Sequence, residues 1–204
     1  MEYCGRANDR AGFVLVGGKS ERMGCDKAFL PYRGTTMAEH IAARVEAAAG
    51  SVTLAGDPER FRGLPYPAIA DLHPGNGPLG GVEAALRSSP ARWNLIVACD
   101  TPSLTVEFLA WLLDSAEACG AKCLVPISPS GRREPLCAVW DRSSLDAVTR
   151  ALSRGVTRMT EAVESAGTIY RQAPGGNWFE NLNTPEELAL HCRTSPAEAA
   201  TKTG

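Results

Sequence analysis

Paired cysteines, clustered histidines and long apolar runs are what this 204-residue sequence lacks. No run approaches the ~20 apolar residues of a membrane-spanning helix, so no membrane role is indicated. The three histidines, His40, His73 and His191, are scattered, and none of the seven cysteines forms a CxxC pair. A zinc site needs convergent ligands and is not indicated. The odd cysteine count, with Cys99 and Cys137 in apolar strand-like runs, points to buried free thiols and a reducing, cytoplasmic setting. There is no excess of charge either. Lys and Arg total 21 against 23 Asp and Glu, a net charge of −2. That balance supplies no global field for nucleic acid or an anionic membrane, so any anion site must be local. Residues 1–11 are polar and hold no signal-peptide core.

The 44% of hydrophobic residues suffices for the core of one α/β domain. That domain is expected over 12–193, between a polar extension at 1–11 and a frayed tail at 194–204. Short apolar runs at 13–16, 51–55, 68–70, 93–99, 122–127, 135–140 and 168–170 read as strands. Between them, helical periodicity marks 35–49, 82–87, 105–118, 143–152 and 157–165, with Ser143 and Asp146 as a capping pair for the fourth. Residues 60–67 read as loop. Strands alternating with helices predict a three-layer fold, a mostly parallel sheet covered on both faces. Ligands of such sheets bind beyond the carboxyl ends of the strands.

Three of those ends carry chemistry. The first strand runs into Gly17-Gly18, followed by Lys19, Arg22 and Lys27. A backbone able to turn sharply, with cations close by, suits a polyphosphate. It is not a Walker loop, because position 13, where the earlier glycine belongs, is Phe. Asp100 ends the most apolar strand, just before Thr101-Pro102. A carboxylate there either binds Mg²⁺, which takes one or two carboxylates plus substrate phosphates, or caps the turn. Asp71 ends a shorter strand and suits a nucleotide hydrogen bond, a metal contact or a cap. The spacing Gly75-x-Gly77-x-x-Gly80 imitates a dinucleotide fingerprint, but Leu72, His73 and Pro74 separate it from the strand, and Pro78 lacks an amide hydrogen. Asn181 and Asn183 precede a helix start at Thr184-Pro185, where they either orient a polar ligand or serve the turn.

Taken together, Leu15-Val16-Gly17-Gly18-x-Ser20-x-Arg22-Met23-Gly24-x-Asp26-Lys27, Gly77-Pro78-Leu79-Gly80-Gly81, Asp100-Thr101-Pro102 and Asn181-x-Asn183-Thr184-Pro185 resemble the molybdenum cofactor guanylyltransferases, in family order over about residues 12–192. The resemblance implies a Rossmann-like nucleotidyltransferase fold and Mg²⁺-dependent transfer of GMP from GTP to molybdopterin. It implies that the backbone of Leu15, Val16 and Gly17 reads guanine and that Gly18 belongs to the same nucleotide loop. Arg22 and Lys27 would hold the triphosphate, Asp71 would contact the nucleotide, and Asp100 would bind nucleotide and Mg²⁺. Asn181 and Asn183 would lie near the pterin, with Arg154 or Arg158 at the acceptor phosphate. A monomer is expected, with proteins of cofactor synthesis or acceptor apoenzymes as candidate partners and no nucleic acid. Two positions depart from the family pattern. Val16 stands where Ala is more usual, and Gly56-Asp57 stands where an Asn usually serves the nucleotide. The alternatives are a cytidylyltransferase acting on the same pterin or on a sugar or alcohol phosphate, and a non-catalytic protein that binds and delivers the cofactor.

Overall fold

The apolar run at 13–16 becomes part of a strand because both of its faces are covered. A computed structural model describes residues 9–17, 26–73 and 75–179. In chain order the elements are β1 (Arg10–Leu15), β2 (Pro31–Tyr32), β3 (Thr35–Thr36), α1 (Met37–Ala49), β4 (Val52–Ala55), α2 (Pro58–Phe61), β5 (Ala68–Ile69), α3 (Pro78–Ser88), β6 (Trp93–Ala98), α4 (Val106–Cys119), β7 (Cys123–Ile127), β8 (Cys137–Asp141), α5 (Leu145–Ser153), α6 (Met159–Ser165) and β9 (Thr168–Gln172). Among the described residues, seven strands form one sheet in the order β5-β4-β1-β6-β8-β7-β9. All neighbours are parallel except β8, which runs antiparallel to β6 and β7. β2 and β3 make a separate hairpin, with Arg33 at its tip in a left-handed conformation, φ +48°.

Alternation along the strands divides the core in two. Val14, Val16, Leu54, Leu95 and Val97 face α1 and α4. Phe13, Leu15, Ala55, Ile96 and Trp140 face α3, α5 and α6. Each fully buried Leu, Ile or Val contributes roughly 1.5–3 kcal/mol by leaving water. Gly12 permits α1 to close on β1, since a Cβ there would lie 2.2 Å from Val45 Cγ1.

Helix ends follow local chemistry. Thr36 and Glu39 form a reciprocal capping box that starts α1, and Gly50 ends it with φ +81°. Thr105 caps α4 and Gly120 closes it. Three local expectations are corrected. α3 begins at Pro78, not Val82, because Pro is preorganised for a first helical turn. Residues 58–61 are helical, started by the Asp57 side chain and Pro58. Ser143 and Asp146 do not form a capping pair. Asp141 caps a 3-10 turn at Arg142–Ser144, and α5 continues from it without a side-chain cap. β1 begins at Arg10, ahead of the apolar run itself. Among the described residues, no helix is long and apolar enough to cross a membrane.

Candidate active site

β1 and β6 pair in parallel, with Leu15 opposite Ala98. The loops leaving both strands therefore emerge together at the carboxyl edge of the sheet. Between them opens a cleft of about 170 Å³, lined by residues 15–17, 26–28 and 98–100, with Pro78 and Leu136. The first loop and Asp100, far apart in sequence, meet at this cleft. Lys27 Nζ lies 3.6 Å from Asp100 Oδ2, and both side chains are only about a quarter exposed, 22% and 25%.

Lys27 is held by local chemistry. It opens a 3-10 turn, Lys27–Phe29, whose cap is Asp26, accepting from the Ala28 amide at 3.2 Å. The Asp26 carboxylate also pairs with Arg60 of α2. Phe29 stacks on Phe61 of the same helix with ring centroids 5.2 Å apart. The segment that sequence alone read as loop is thus the buttress of the Lys27 turn.

Asp100 sits on a loop fixed at several points. Thr101 Oγ1 donates to the Ala98 carbonyl at 3.2 Å, and the Leu104 amide donates to the Thr101 carbonyl at 3.3 Å. His40, buried in α1, contacts the Pro102 carbonyl through Nε2 at 3.2 Å, while Nδ1 faces Arg44 Nη1 at 3.1 Å. A guanidinium only donates, so Nδ1 is the acceptor and Nε2 carries the proton. The buried Tyr32 ring packs edge-on against the imidazole. Cys99 lies beside Asp100, but burial, aided by the Asp100 and Asp26 charges, pushes its thiol up to about 12. It is a packed thiol, not a nucleophile. Cys123 and Cys137 are likewise free and buried.

The structure distributes the other expected residues unevenly. Leu15, Val16 and Gly17 line the cleft. The Leu15 carbonyl already accepts from the Cys99 amide at 3.2 Å, and the Val16 amide donates to the Ala55 carbonyl at 3.1 Å. Asp71 is not among the residues lining the cleft. Its carboxylate lies over the first turn of α3, where a Cβ on Gly80 or Gly81 would come within 3.5 and 3.6 Å of its oxygens. Burial raises its pKa. Arg154 is the C-cap of α5, and Arg158, the N-cap of α6, lies 3.8 Å from Glu161. Neither lines the cleft. Gly18, Arg22, Asn181 and Asn183 lie outside the described residues.

Sequence reasoning passed over Pro78 and Leu136 as cleft residues. It also passed over a second cleft that shares Asp100 and Leu136 with the first and adds Arg132 and Arg133. The adjacent arginines at 132–133 were a visible signal, but in sequence they belong to an ordinary polar turn. Among the described residues no group of three or more His, Cys, Asp or Glu converges as a metal site.

The family model for the MobA-like NTP transferase domain matches residues 12–167. A molybdenum cofactor guanylyltransferase of Cereibacter sphaeroides is 37% identical over 186 residues, covering 87% of this chain and 93% of the relative. One from Cupriavidus taiwanensis is 31% identical, over 90% of this chain and 96% of its own length. The crystal structure of molybdopterin-guanine dinucleotide biosynthesis protein A from Archaeoglobus fulgidus superimposes with a TM-score of 0.77 at 26% identity, covering 90% of this chain and 97% of that one. A 2-C-methyl-D-erythritol 4-phosphate cytidylyltransferase from Thermus thermophilus shares the fold, with a TM-score of 0.70 at 19% identity.

Proposed function

The chain belongs to the MobA-like NTP transferase family, and from that premise we propose that it transfers GMP from GTP to the terminal phosphate of molybdopterin, releasing pyrophosphate. The observation that carries this reading is the meeting of Lys27 and Asp100 across one cleft, at 3.6 Å. The relatives at 31% and 37% identity, named as molybdenum cofactor guanylyltransferases, support the choice of GTP and pterin.

The chemistry asks for little beyond placement. A phosphate monoester is largely dianionic at neutral pH, so the attacking oxygen needs no general base. It forms a bond to the α-phosphorus of GTP while the bond to the β-phosphate oxygen breaks, and the electron pair leaves with pyrophosphate. The obstacle is repulsion between anions. Positioning and fixed charge therefore supply most of the catalysis. Lys27, fixed on its capped turn, neutralises the triphosphate. Arg22 adds a second cation from the same loop. The Val16 amide is committed to the Ala55 carbonyl, so guanine is read by the other backbone groups of Leu15, Val16 and Gly17, which line the cleft. Pro78 brings the positive end of α3 to the cleft wall.

The donor set fits Mg²⁺. That ion needs only one or two protein carboxylates when phosphates complete its shell, and Asp100 is a partly exposed carboxylate facing the cleft. Bound there, Mg²⁺ would screen the charge that builds on the leaving group. Asp100 would hold it, with Lys27 across the cleft setting the carboxylate's orientation.

The test is pyrophosphate release by the purified protein with Mg²⁺ and molybdopterin, with GTP and CTP in parallel. Release with GTP, lost in Asp100→Ala and not restored by extra Mg²⁺, is expected. Release with CTP alone overturns the guanine reading, and release with neither overturns the reaction.

A further inference from the structure

The second cleft, about 210 Å³, adjoins the nucleotide cleft. Asp100 and Leu136 line both and so form the partition between them. Its far wall is the β7–β8 turn, with Arg132, Arg133 and Glu134, and Phe179 adds an aromatic face.

That turn is firmly built. Ser128, only 5% exposed, donates its amide to the Arg132 carbonyl at 2.8 Å, and its hydroxyl accepts from the Arg132 amide at 3.1 Å. The Glu134 amide donates to the Pro126 carbonyl at 3.0 Å. The two arginines then diverge. Arg133 stacks over the Tyr170 ring at 4.3 Å and donates to Glu164 at 3.2 Å. Arg132 donates through Nε and Nη2 to the two oxygens of Glu134 at 2.7 and 3.2 Å. A guanidinium has five N–H donors in a planar fork, and Glu134 takes one edge of it. The fork is thereby oriented, with its other edge available to a second anion.

We propose that this second cleft is the acceptor subsite, with Arg132 receiving the acceptor's phosphate and Phe179 and Leu136 offering an apolar face to the rest of that molecule. The proposal rests on reading the chain as a nucleotidyltransferase. An in-line displacement brings its nucleophile from the side of the α-phosphorus opposite the departing pyrophosphate. With nucleotide in the first cleft, the nucleophile enters from a space that also borders Asp100, and the second cleft is such a space. A dianionic nucleophile brought beside Asp100 and Glu134 needs its own cation, separate from Lys27. Arg132 is that cation, and its bidentate geometry suits phosphate.

The experiment has two arms. In the first, Arg132→Ala and Arg132→Lys are assayed for pyrophosphate release against GTP and molybdopterin separately. The Arg132 side chain is 59% exposed, so the fold is retained, and the melting temperature verifies this. Arg132→Ala is expected to raise the acceptor KM at least tenfold while the GTP KM stays within twofold, with Arg132→Lys intermediate. An acceptor KM within twofold of the original, or a parallel rise in both constants, overturns the subsite. In the second arm phenyl phosphate is the probe, and its phosphorus resonance is followed with GTP cleft and Mg²⁺ saturated by a non-hydrolysable GTP analogue. Broadening by the unmodified protein but not by Arg132→Ala is expected. Equal broadening, or none, overturns the subsite. If phenyl phosphate binds through Arg132 while molybdopterin yields no pyrophosphate, the pterin assignment falls and the subsite stands. If pyrophosphate is released and Arg132→Ala leaves the acceptor KM unchanged, the subsite falls and the reaction stands.

Discussion

His40 donates from Nε2 to the carbonyl oxygen of Pro102 across 3.2 Å, tying α1 to the loop that carries Asp100. Residue 40 is not among the residues that line the cleft, yet it holds the loop that sets where the carboxylate stands. In His40→Asn the shorter side chain keeps an acceptor near Nδ1 and loses the donor to Pro102. In His40→Gln the amide nitrogen reaches the Nε2 position. We expect His40→Asn to lower kcat by roughly ten- to hundredfold, the scale of a misplaced reacting group, with the GTP KM within threefold. His40→Gln should recover most of that loss. Steady-state kinetics of both variants, compared at equal folded fraction, check this, and equal losses in the two would refute the positioning role.

Lys27 faces Asp100 across the cleft between β1 and β6. Removing one preorganised charge from a transition state costs about 2–4 kcal/mol. Lys27→Ala is therefore expected to reduce kcat/KM for GTP by that amount, read from the ratio of efficiencies. An unchanged ratio would take Lys27 out of the site.

Val16 and Gly56-Asp57, the two departures from the expected family pattern, meet at Gly56 in the structure. A Cβ on residue 56 would lie 2.7 Å from Val16 Cγ2 and 2.9 Å from Phe61 Cε2. The larger residue at 16 occupies space that a side chain at 56 would need. Gly56→Ala should destabilise the protein by about 1–3 kcal/mol through overpacking. Adding Val16→Ala should return part of that loss, a coupling measurable in a double-mutant cycle by urea unfolding. Strict additivity would mean that the two residues are packed independently.

Asp71 carries a carboxyl whose pKa burial lifts above the ordinary 3.8. The folded state then binds the proton more tightly than the unfolded chain. The contribution of Asp71 to stability is greatest below pH 3.8 and declines as the pH rises through the folded-state value. Asp71→Asn removes the half-buried charge, so its melting temperature should exceed that of the parent at pH 7, with the advantage shrinking towards pH 3.5. Thermal melts across that range check the sign. If Asp71 also contacts the nucleotide, the same variant binds GTP more weakly despite its greater stability.

Much of the molecule is written locally. Near-continuous apolar runs at 13–16 and 93–99 predict strands whose two faces are buried. The glycines at 50 and 120 stop helices because only a residue without Cβ adopts φ of +81° and +61° at low cost. The loop at 15–27 and the Asp100-Thr101-Pro102 turn identify the family. These features need only near neighbours in the chain, and so the sequence carries them openly.

Which of these features meet is a separate matter, settled by strand order. Placing β1 between β4 and β6 brings Lys27 to Asp100, Val16 to Gly56 and, through α1, His40 to Pro102. Placing β8 beside β6 brings the Arg132 turn to the same aspartate. Asp71 instead comes to rest over α3, because its short strand lies at the far edge of the sheet. Hydrophobic periodicity is a one-dimensional signal that tells a residue which face to bury. Strand neighbours are selected by packing among elements distant in sequence, so the composition of the cleft belongs to the tertiary structure.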